Sequence, residues 1–131
     1  MELELCPNFQ HPFTCLVSGM TQSGKSEWVY RLLHSDKIEP PPEKILYCYG
    51  EQSAQFEKYD RPVTFHRGMP TNLEEIIGGD GGNKRQLIIL DDLMHEVDGG
   101  ETGKLVASLF TRGSHHRNIS IVLVVQNLFH Q

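Results

Sequence analysis

Cysteine is scarce in this chain. Three residues of 131 (Cys6, Cys15 and Cys48) form no C-x-x-C pair, and two of them sit in apolar segments. That argues against a zinc ribbon or a disulfide framework and suits buried thiols in a reducing compartment. Long hydrophobic runs are missing too. The longest, Ile119 to Val125, is interrupted by Ser120 and falls far short of a bilayer span. The opening residues Met1-Glu2-Leu3-Glu4-Leu5 carry no basic charge, so no secretory signal is expected. The expected location is intracellular, with no membrane partner. Basic charge is also in short supply, with twelve Lys and Arg against seventeen Asp and Glu, a net −5. Surfaces that grip nucleic acid are usually basic. Any such grip must therefore be concentrated, as in the lumen of a ring. Internal repeats are absent. The hydrophobic content of 38% and charged content of 22% are globular values. A chain of this length predicts one domain, residues 1–131, burying about two-thirds of its unfolded surface.

What is present is a complete G-x-x-x-x-G-K-[ST] string, Gly19-Met20-Thr21-Gln22-Ser23-Gly24-Lys25-Ser26. Ordinary residue frequencies produce it by chance in about one chain in two hundred of this length. Its context makes it more specific. Phe13 to Ser18 reads as a buried strand, and Glu27 to Leu33 as a helix. Strand, glycine loop and helix together aim backbone N–H groups and a helix dipole at phosphate. In that setting Lys25 reaches the β- and γ-phosphates of ATP, and the Ser26 hydroxyl takes a Mg2+ position.

Along the chain, residues 1–11 read as an irregular lead-in to Pro12, and the first helix runs to about Ser35. Glu39-Pro40-Pro41-Pro42-Glu43 predicts a stiff exposed connection. Lys44 to Tyr49 reads as a strand, Glu51 to Tyr59 as a short helix, and Val63 to His66 as a further short strand. Thr71 or Asn72 caps a predicted helix through Ile77, followed by a loop at Gly78 to Asn83. Gln86 to Asp91 has the continuous apolar character of a central parallel strand. A loop at Asp98-Gly99-Gly100, a helix over Leu105 to Phe110 and a last strand over Ile119 to Val125 complete the pattern. Strands alternating with helices predict an α/β fold.

Leu87-Ile88-Ile89-Leu90-Asp91-Asp92 matches the Walker B pattern, an apolar strand delivering an acid at its carboxyl end beside the loop-bearing region. Asp91 is the candidate Mg2+ carboxylate. Asp92 is the candidate base that polarises an attacking water, with Glu96 as the alternative; a loop-capping role for both is the bland reading. Gln126, at the end of the last strand, is placed to sense the γ-phosphate or the water, or else faces solvent. Thr111 to Asn118 is the one densely basic patch. Arg112 and Arg117 are candidates for stabilising phosphoryl charge or gripping a DNA phosphate, against a solvated basic turn. His115 and His116 lack further ligands at zinc spacing. Trp28 and Tyr30 read as core and adenine-side packing.

The set GMTQSGKS, LIILDDLMHE and TRGSHHRNISIVLVVQNLFHQ resembles the FtsK/HerA-type DNA-packaging ATPases of Polinton (Maverick) elements and adintoviruses, relatives of the poxvirus packaging ATPase. The likeness covers residues 12 to 131. It implies a P-loop NTPase three-layer sandwich with a mostly parallel central sheet, here apparently truncated after the last strand. It further implies ATP hydrolysis with Mg2+, a homo-oligomeric ring, and double-stranded DNA pumped into a capsid, hence capsid-protein partners. The implied location is a host nucleus or viral assembly site. By the same likeness Lys25 and Ser26 are Walker A, Asp91 and Asp92 Walker B, Gln126 the sensor, and Arg112 or Arg117 an arginine finger. Two alternatives share the loop: a small-molecule nucleoside or nucleotide kinase, and a non-catalytic remnant.

Overall fold

The computed structural model describes residues 8–18, 22–69, 84–93 and 118–125. Seven strands and one long helix lie among them. They are β1 (Phe9–Gln10), β2 (Thr14–Val17), α1 (Gln22–Leu33), β3 (Ile38–Glu39), β4 (Lys44–Tyr49), β5 (Thr64–Arg67), β6 (Gln86–Asp91) and β7 (Ile119–Val124). A 3-10 turn over Ala54–Lys58 joins β4 to β5, opened by the Ser53 side chain accepting the Gln55 amide at 3.1 Å. The fold is α/β. Its main sheet has five strands in the order β2-β7-β6-β4-β5, parallel at every pairing. No helix among the described residues is long and apolar enough to cross a membrane.

The apolar runs become the interior strands for a simple reason. All six residues of β6 and all six of β7 are buried, so both faces of each strand favour apolar side chains, with Asp91 the charged exception at the end of β6. Alternation divides their side chains between two layers. Leu87, Ile89, Val122 and Val124 pack with Val17 and Tyr47 against Trp28, Val29, Leu32 and Leu33 of α1. Ile88, Leu90, Ile119, Ile121 and Leu123 form the opposite layer with Cys48 and Leu93.

The register carries most of the functional consequence. Val17, Val124, Asp91, Tyr49 and Arg67 are cross-strand partners in one row. Each is also the last residue of its strand. All five strands therefore stop at the same level, and the chain leaving β2 toward the glycine loop starts from the level at which Asp91 ends β6.

Three local expectations change. The lead-in is not wholly irregular: Phe9–Gln10 pairs in parallel with Ile38–Glu39, so part of the proline-flanked connection is a two-residue strand. β6 is not next to the loop strand, because β7 lies between them. The segment after β4 is 3-10 and shorter than the helix predicted over Glu51 to Tyr59. The helices expected after Thr71 and over Leu105 to Phe110, and the loops at Gly78 to Asn83 and Asp98 to Gly100, lie outside the described residues.

At the opposite end of the sheet, His11 ties the lead-in to β7. Its Nδ1 lies 2.6 Å from Ser120 Oγ and its Nε2 lies 2.8 Å from Asn118 Oδ1. The Phe13 amide donates to the same Ser120 oxygen at 3.0 Å. One neutral tautomer satisfies all three bonds: Ser120 donates to Nδ1, and the Nε2 proton goes to Asn118. The fully buried Ser120 hydroxyl that interrupts the apolar run is thus paired, as burial demands.

Candidate functional site

α1 begins at Gln22, within the glycine motif, and its first turn contains no acidic residue. The positive end of the helix dipole is thus not offset by a carboxylate of its own. Lys25, in that turn, is 3% exposed, which is unusual for a lysine. Its ammonium donates to the Val125 carbonyl oxygen at 2.6 Å, immediately beyond β7. A lysine ammonium has three donors, and among the described residues this bond uses one of them. Ser26 follows on the helix, half-buried.

Asp91 closes β6 on the face that packs against α1, and it is 7% exposed. Burial pushes its carboxyl pKa above the ordinary value; the Tyr47 hydrogen bond opposes this, the Asp92 charge adds to it, and the Lys25 charge opposes it. The candidate lysine and the candidate carboxylate are thus close enough to act on each other electrostatically. The two strands that lead to them are one strand apart, about 10 Å across the sheet.

Asp92 adopts a left-handed backbone, with φ 59°. Aspartate visits this region more readily than most residues, because its short polar side chain bonds locally. Its amide still donates to the Val124 carbonyl at 2.9 Å, so the β6–β7 ladder continues to Asp92 while the strand's side-chain alternation stops. Gly50, the first residue after β4, fits against this turn. Its amide donates to Asp91 O at 3.1 Å, and a Cβ built on it would lie 2.9 Å from the Asp92 carbonyl oxygen.

Two residues near the candidate acid carried no expectation from sequence. Tyr47, fully buried on β4, donates its hydroxyl to Asp91 Oδ2 at 2.6 Å. Burial, with the Asp91 charge second, raises its hydroxyl pKa far above the ordinary tyrosine value. Alternation in Lys44 to Tyr49 marks Tyr47 as inward, but sequence does not say which strand pairs with β4. Gly50 is the other, its signal being a glycine directly after a strand.

Of the residues expected at the site, Gly24, Lys25, Ser26, Asp91 and Asp92 are described, and Gln22 and Ser23 are described as helix backbone. Gly19, Met20, Thr21, Glu96, Arg112, Arg117 and Gln126 lie outside the described residues. Trp28 is buried in the layer between α1 and the sheet, with Phe9 edge-on at 6.2 Å. Tyr30 packs on His34 and Tyr59 and donates to Lys58 O at 3.2 Å. No protein-family model matches the chain, and neither does any curated protein or solved structure.

Proposed function

We propose that this chain is an ATP-hydrolysing P-loop motor of the FtsK/HerA class that translocates double-stranded DNA, as in packaging DNA into a viral capsid. One observation carries the nucleotide part. A buried lysine from a glycine motif reaches the end of β7, within electrostatic range of a buried aspartate that ends β6 in the same register row. Crevices beyond the carboxyl ends of parallel strands are where open α/β sheets bind ligands.

The donor set fits a magnesium-bound triphosphate. Mg2+ takes hard oxygen ligands and is typically held by one or two carboxylates together with substrate phosphates. Here Asp91 would supply the carboxylate and Ser26 the hydroxyl, while Lys25 and the amides of the glycine loop would hold the phosphates. A bound Mg2+ would neutralise charge developing on the phosphoryl oxygens. Asp92, turned by its left-handed backbone, is the residue for orienting the attacking water. Gln126 follows directly on Val125, whose carbonyl Lys25 contacts, so the strand order supports a sensing role for it.

The small-molecule kinase is the second reading. Asp92 directly after the metal carboxylate, together with the sensor-like Gln126, favours water attack over transfer to a bound nucleoside. The DNA, ring and capsid parts rest on the resemblance over residues 12 to 131, which is most specific in residues 111 to 131.

The test is ATP turnover by the purified chain with and without long duplex DNA, alongside Lys25→Ala and Asp92→Asn. The expected result is DNA-stimulated hydrolysis that disappears in both variants, with nucleotide binding retained in Asp92→Asn. Phosphate transfer to a nucleoside would favour the kinase, and wild-type protein that binds no nucleotide would favour the remnant.

A further inference from the structure

Tyr47 has no part in the reaction as outlined, yet it is fully buried and directs its hydroxyl at the candidate metal carboxylate. We propose that Tyr47 is a positioning residue that fixes the Asp91 carboxylate to receive a divalent cation bound with nucleotide; this rests on the function proposed above.

The geometry is specific. β4 and β6 are neighbours, and Tyr47 pairs in register with Ile89, two residues before Asp91 on the same face. The phenol thus leans along the strand to meet the carboxylate diagonally. Its ring is held by Phe56 at 5.0 Å and Phe65 at 5.4 Å, so the hydroxyl has a fixed origin. A 2.6 Å separation is a short O–H···O hydrogen bond. The terminal torsion of an aspartate is broad and roughly two-fold. A strong bond to Oδ2 removes that freedom and leaves the other oxygen presented in one orientation. Packing alone does not require the hydroxyl, since phenylalanine fills the same space within this aromatic cluster. Partners of this kind, which orient a metal's ligand without touching the metal, typically change metal affinity or activity 10–100-fold when removed.

Three proteins separate this role from a structural one: wild type, Tyr47→Phe, and Phe56→Leu, which loosens the same cluster without touching a polar atom. Each is titrated with Mg2+ at fixed ATP, reading hydrolysis, and with a fluorescent ATP analogue in EDTA, reading metal-free binding. Tyr47→Phe is expected to raise the half-saturating Mg2+ concentration by about 10-fold or more. Metal-free binding should stay within about twofold, and excess Mg2+ should recover much of the rate. Phe56→Leu, which keeps the hydroxyl, is expected to lower Tm while shifting the Mg2+ dependence clearly less than Tyr47→Phe does. Should Tyr47→Phe fail to fold, Tyr47→His, which keeps a ring and a donor at shorter reach, must also shift the Mg2+ requirement upward. An unchanged Mg2+ requirement in the folded variant, or an equal shift in Phe56→Leu, overturns the role of Tyr47 while leaving the ATPase reading intact. A wild-type chain that binds no nucleotide overturns both.

Discussion

The Lys25 ammonium donates to the Val125 carbonyl oxygen at 2.6 Å, joining the first turn of α1 to the end of β7 across 100 residues of sequence. The contact links the helix that follows β2 to the strand lying between β2 and β6. It also places the one buried lysine among the described residues at the end of the sheet where Asp91 emerges.

Replacing Lys25 with alanine therefore does two things. It removes a cation from the proposed phosphate site, and it leaves the Val125 carbonyl without that donor. Charge-assisted hydrogen bonds contribute about 1.5–3 kcal/mol each, so nucleotide affinity should fall roughly 10- to 100-fold. A fluorescence titration checks this. Lys25→Ala binding as tightly as wild type would remove Lys25 from the site.

Asp91 is held in the fold against its preference for water. Its folded pKa lies above the ordinary 3.8, chiefly because burial penalises the charge. The folded protein binds that proton more tightly than the unfolded chain does. This contribution to stability is thus full below about pH 3.8 and is lost as pH rises through the folded value. At neutral pH and without metal, Asp91→Asn should raise Tm by a few degrees, since asparagine keeps an acceptor for Tyr47. The same substitution should abolish metal-dependent turnover. Thermal melts in EDTA at pH 4 and pH 7 decide the matter. A gain no larger at pH 7 than at pH 4 would contradict the burial argument.

Gly50 should not tolerate a side chain. A Cβ at 2.9 Å from the Asp92 carbonyl oxygen meets backbone, and no flexible side-chain tip can swing away. Gly50→Ala should cost about 1–3 kcal/mol in urea unfolding. It should also depress hydrolysis more than nucleotide binding, because the displaced group is the proposed water-orienting residue. Equal losses in both would show that the glycine serves stability alone.

Cys48 provides a probe of the core that is independent of the site. It is fully buried, and burial pushes its thiol pKa up from 9.0 to about 12. The unfolded thiol ionises above pH 9 while the folded one does not. Stability is therefore full below pH 9 and should fall by up to about 1.4 kcal/mol per pH unit as pH rises toward 12. Alkylation of Cys48, read by mass spectrometry at pH 9, should track global unfolding in denaturant. Rapid modification of the native protein would mean that this layer opens locally.

Much of this was legible in the residues. The unbroken apolar runs of β6 and β7 and the alternation in Lys44 to Tyr49 are local signals, and the strands they predict agree with the structure to within about one residue at each end. The helix after the glycine motif was legible too, but it begins at Gln22, inside the motif and five residues before the predicted Glu27. Strand order was not legible, because parallel pairing joins segments distant in sequence and no local pattern states which neighbour each takes. That is why β7 lying between β2 and β6, and Tyr47 reaching Asp91, emerge only in three dimensions. β1 and β3 escaped for a different reason. Two-residue strands beside Pro12 and Pro40 are held by their pairing, against the local bias of proline-flanked chain.

The single row in which all five strands of the main sheet finish restricts how the gene can change in length. Inserting one residue in β6 would turn Asp91 to the other face, and deleting two would withdraw it from the rim by roughly 7 Å. Substitutions inside the strands leave that alignment intact. Insertions and deletions should accumulate in the connections and stay out of the five segments that must arrive level.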